Sequence, residues 1–140
     1  MRKRIEAGFT LVEILIVVVI LGILAAIVVP QFTNASNEAI KGALESQLQT
    51  INSQVELFRV RNAGAYPDFS SGWGDLVTDE YLKEEPINGY TGQSVIAAGN
   101  AAAAAAMTRT SANGWTFDAA NNHQVHAAGY DEATGLLEHE

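Results

Sequence analysis

Between Phe9 and Val29 the chain reads FTLVEILIVVVILGILAAIVV, an apolar run with one charged side chain, Glu13. At ~1.5 Å rise per residue it makes a helix of roughly 32 Å, enough to cross a hydrocarbon core of ~30 Å. Water cannot be the solvent for all of it. Arg2, Lys3 and Arg4 stand just before the run, so positive-inside bias holds that end in the cytoplasm and sends the residues after Val29 across the membrane. An ordinary secretory signal does not fit. Its apolar core spans only ~7 to 15 residues and ends in small side chains, whereas Leu24 and Val28 occupy the positions around Ala26 that would have to be small.

A plain anchor accounts for the length and the flanking charge but not for Glu13. An acidic group inside hydrocarbon costs up to ~3 kcal/mol even on lenient insertion scales, which makes it a functional position by default. Gly22 and Pro30 weaken the same helix. Proline removes a backbone hydrogen bond and disfavours helical geometry at Val29, so the helix is expected to kink or loosen between these two residues.

Gly8-Phe9-Thr10-Leu11-Val12-Glu13, followed by the apolar run with Gly22 inside it and Pro30 at its end, resembles the prepilin leader and helix of type IV pilins and type II secretion pseudopilins. The resemblance implies that prepilin peptidase cuts between Gly8 and Phe9, removing residues 1–8, that Phe9 is N-methylated, and that the apolar helix is kept. It further implies a homopolymer filament in which Glu13 of one subunit neutralises the Phe9 amine of a neighbour, with the Gly22–Pro30 stretch able to unwind. Elementary chemistry gives each part a reason. A glycine at the cut admits the peptidase close to the backbone, and cleavage places a new cation near an anion, two charges that are costly alone in a low-dielectric setting.

Beyond the membrane, Ile40, Leu44, Leu48, Ile51, Val55 and Phe58 step by three and four along an otherwise polar segment, so one stripe of a continuing helix faces a core. Asn62, Gly64 and Pro67 are stop signals that put its end near residue 62. The chain therefore divides into a leader (1–8), an apolar half-helix (9–29), an amphipathic half-helix (30–62) and a head (63–140). Within the head, the turn-rich connector predicts a single helical turn from Thr78 to Lys83, ended by Pro86. Val95 to Ala98 reads as a short strand, and the alanine run within residues 100–110 reads as a loop or packed connector, since six alanines are too few for an independent helix. Gly114–Asp118 and Gln124–Ala127 alternate in polarity across a polar link and read as an antiparallel hairpin, with Trp115 and Phe117 sharing a face turned to the helix. The fold class is α+β and pilin-like: a long N-terminal helix packed on a small C-terminal antiparallel sheet. Tyr66-Pro67, Tyr81-Leu82-Lys83 with Pro86-Ile87-Asn88, and Gly114-Trp115-Thr116-Phe117-Asp118 resemble the connector and terminal hairpin of pseudopilins close to the major one.

Sixteen acidic side chains against eight basic ones leave a formal charge of −8, which repels phosphate backbones and argues against nucleic-acid binding. The absence of cysteine excludes disulfides, thiolate zinc sites and cysteine nucleophiles. There is no Walker loop, zincin helix or nucleophile elbow, and His123 and His126, three apart on a strand, point to opposite faces. No enzyme is expected. Asp118, Asn121, Asn122, Asp131 and Glu132 offer oxygen ligands, and major pseudopilins often bind calcium in C-terminal loops. Asp118, Asp131 and Glu132 are the calcium candidates, although the ligand order matches no EF-hand and does not map residue by residue onto the family's site. No other cofactor is expected. The sequence therefore predicts a type II secretion pseudopilin of the bacterial inner membrane, N-terminus cytoplasmic and head periplasmic. Its implied partners are prepilin peptidase, an inner-membrane assembly platform and minor pseudopilins. A type IV pilin of a surface fibre is the alternative within the class, and a membrane-anchored periplasmic binding module the alternative outside it.

Overall fold

The computed structural model describes residues 8–138; the basic leader residues Arg2, Lys3 and Arg4 lie outside them. One helix, α1 (Leu11–Arg61), contains both the apolar run and the amphipathic segment, and the chain divides into two units after Ser36. In the first unit every side chain from Leu11 to Val29 is exposed. Among the described residues of this unit nothing covers the apolar surface, which is the state of a helix whose solvent is lipid or neighbouring helices. α1 stays helical through Gly22 and Pro30, so the loosening expected there is not a break in the isolated subunit. Helix propagation is cooperative, and one missing N–H does not outweigh the bonds of the turns on either side.

In the second unit, Leu44, Leu48, Ile51, Val55 and Phe58 of α1 are buried and Ile40 is half-buried, as their spacing predicts. Each such side chain contributes roughly 1.5–3 kcal/mol on full burial. The helix ends where Ala63 and Gly64 turn left-handed, at φ 53° and 92°, and Gly64 N–H donates to Arg59 O at 2.8 Å. A 3₁₀ turn (Phe69–Ser71), capped by the Asp68 carboxylate, leads into α2 (Gly74–Thr78). The helical turn expected from Thr78 to Lys83 is therefore misplaced: the helix ends at Thr78. The physical reason is Glu80, whose φ of 59° reverses the chain while its N–H donates to Val77 O. This is the position where helices favour glycine, since a side chain there costs ~1–2 kcal/mol. Glu80→Gly relieves that strain against an unfolded-state penalty of ~0.4–1 kcal/mol. The expected result is a gain of about 0.5 kcal/mol, read as a higher denaturation midpoint; a lower midpoint would show that the Glu80 side chain has a role of its own.

The main sheet has the order β1 (Ile96–Ala98), β2 (Trp115–Asp118), β3 (Gln124–Ala127). The β2–β3 hairpin is antiparallel, pairing Trp115 with Ala127 and Phe117 with Val125, as expected. β1 instead runs parallel to β2, with Ile96 opposite Trp115, so the sheet is mixed rather than antiparallel throughout. Parallel neighbours need a crossover, commonly helical. That crossover is the alanine segment, which is not a loop but a short helix, α3 (Ala101–Ala105), capped by Asn100 Oδ1 accepting from Ala103 N–H at 2.9 Å. Ala104 is wholly buried, and packing on the sheet supplies what five residues cannot supply alone. A second ladder, β4 (Tyr130–Asp131) with β5 (Leu136–Leu137), follows the hairpin and was not anticipated.

Three polar side chains join these parts. Asn52 of α1 accepts from Val125 N–H (2.9 Å) and donates to Val125 O (3.1 Å), standing in for a neighbouring strand at the edge of β3. Trp115, wholly buried, donates its indole N–H to Pro86 O at 2.8 Å. Asn88, also wholly buried, donates to Gly114 O (2.6 Å) and Ala128 O (3.0 Å) and accepts from the N–H groups of Tyr90 and Thr91.

Candidate processing and assembly site

Gly8, Phe9 and Thr10 precede α1 in non-helical backbone, and Phe9 is 84% exposed. Helix begins at Leu11 because Thr10 and Glu13 cap it reciprocally. Thr10 N–H and Thr10 Oγ1–H both donate to Glu13 Oε2 at 2.8 Å, and Glu13 N–H points back to Thr10 Oγ1 at 3.3 Å. Two of the N–H groups that a helix start leaves without partners, those of Thr10 and Glu13, are satisfied in this way. Glu13 therefore has an intrachain partner in the single subunit, and it stands on the first turn of α1, four residues after Phe9. Thr10 is the member of this site that the reading of charges overlooked. The signal was present: Thr-x-x-Glu before an apolar run is the capping-box pattern. Gly22 and Pro30 lie farther along α1 and meet neither residue; a Cβ added at Gly22 would touch nothing within 4 Å.

The candidate calcium ligands are not brought to one point. Asp118 accepts from Ala120 N–H within the β2–β3 link. Asp131 accepts from the Thr134 hydroxyl (2.8 Å) and Ala133 N–H (2.9 Å), bonds that hold its carboxyl below the usual carboxylate range. Glu132 Oε1 lies 2.7 Å from Nδ1 of the buried His126. His123 has a different environment, in a left-handed backbone position with its ring stacked on Tyr66 at 4.7 Å and on Phe117 at 6.0 Å. Among the described residues no three His, Asp or Glu side chains form a group that could hold a metal ion.

Comparison with known proteins bears on the N-terminal site first. Residues 3–29 match the prokaryotic N-terminal methylation motif, a span that includes Gly8, Phe9, Thr10, Glu13 and Gly22. The chain is 36% identical over 101 residues to the type II secretion system core protein G of Pseudomonas aeruginosa, covering 63% of this chain and 70% of that protein. The chain belongs to the type II secretion system core protein G family. Core protein G of Dickeya chrysanthemi is 37% identical over 86 residues, 61% of this chain and 56% of that protein. That of Vibrio cholerae is 34% identical over 87 residues, 62% and 58%. The chain thus spans little more than half the length of several of its core protein G relatives. No solved structure matches it.

Proposed function

We propose that this chain is a pseudopilin, a filament subunit of a type II secretion system. The observation that supports this best is the coincidence at one place of the methylation motif, the non-helical Gly8–Phe9 bond, and an acidic side chain capping the exposed apolar half of α1. In this reading the subunit is first held in the inner membrane by α1, N-terminus in the cytoplasm and head in the periplasm. Prepilin peptidase cleaves between Gly8 and Phe9 and the new N-terminus is methylated. The Phe9 amine then competes with Thr10 for the Glu13 carboxylate of an adjacent subunit. A hydroxyl and an amide are exchanged for a full cation, and in hydrocarbon that exchange favours assembly because neither charge is left unpaired. The exposed apolar length of α1 becomes the filament's interior, where small residues such as Gly22 allow close helix approach. An assembly platform in the inner membrane and minor pseudopilins are the partners of this process.

In this reading the head is the acidic outer unit of the filament. Deleting the gene tests which filament the chain builds, with exoprotein secretion and surface fibres assayed side by side. Lost secretion with fibres unchanged is the expected outcome. Lost fibres with secretion unchanged would assign the chain to a surface pilus instead.

A further inference from the structure

We draw no further inference here: the strongest candidate, the uncharged solvent-facing side of α1 in the second unit, which runs from Gly42 through Ser46, Thr50 and Ser53 to the exposed Leu57 and Val60, is an unpartnered helix face with nothing in the structure to show what covers it.

Discussion

Glu13→Gln is expected to leave membrane insertion and leader removal intact and to abolish filament formation. The amide oxygen of glutamine can still accept from Thr10 N–H and Oγ1–H, the two bonds that the carboxylate makes at 2.8 Å, so the start of α1 survives. What is lost is the charge. A neighbour's Phe9 amine would then enter the filament unneutralised, at a cost of several kcal/mol in a low-dielectric interior. Glu13→Val is the companion variant. It also removes the carboxylate half of the reciprocal cap, while the backbone N–H at position 13 still has Thr10 Oγ1 to donate to, yet should insert at least as well as the original because a charge is exchanged for an apolar side chain. Membrane level, processing and polymerisation are to be followed in one strain. If both variants are inserted, processed and still polymerise like the original, Glu13 has no assembly role and the subunits are aligned by another part of α1.

The largest expected effects on the head are at Asn88 and Trp115. Asn88→Ala deletes four hydrogen bonds at a wholly buried position. Gly114 O keeps a second partner, Ala128 N–H, but Ala128 O and the N–H groups of Tyr90 and Thr91 lose theirs. Each buried group left in this way costs ~1–3 kcal/mol, so a loss above about 3 kcal/mol is expected. Trp115→Ala removes a ring that packs edge-on to Trp73 at 6.1 Å and a bond to Pro86 O, with an expected loss of ~3–5 kcal/mol. Both are measurable by chemical denaturation of a fragment starting at Asn34, which lacks the apolar run and is expected to be a soluble monomer. Midpoints equal to that of the unsubstituted fragment would mean that these residues serve a surface rather than the core.

How much of this was legible depended on whether local pattern or distant partners decide a residue's place. α1 was legible to within a residue or two at its end, because the step of three and four from Ile40 to Phe58 is a property of the sequence alone. The β2–β3 hairpin was legible for the same reason, through its alternation. Strand direction was not. Nothing in Ile96-Ala97-Ala98 says whether it pairs parallel or antiparallel with Trp115-Thr116-Phe117, and the answer determines that the alanine segment between them is a crossover helix. The connector misled because Thr78 resembles an N-cap, while the residue that decides the local backbone is Glu80 in a conformation no composition announces. Asn88 reads as a turn residue in Pro86-Ile87-Asn88, and only the arrival of β2 and β3 makes it a buried junction. At the N-terminal site the carboxylate was legible as an anomaly in hydrocarbon, but its intrachain partner Thr10 was hidden behind the search for an intermolecular one.

In the proposed pathway the chain is made as a prepilin and matured at its N-terminus before it assembles. Mass spectrometry of protein extracted from membranes tests this most directly. The expected species begins at Phe9, carries a methyl group on that amine, and retains the whole of α1. An N-terminus after Ala26, or a chain still beginning at Met1 in cells that secrete normally, would contradict it.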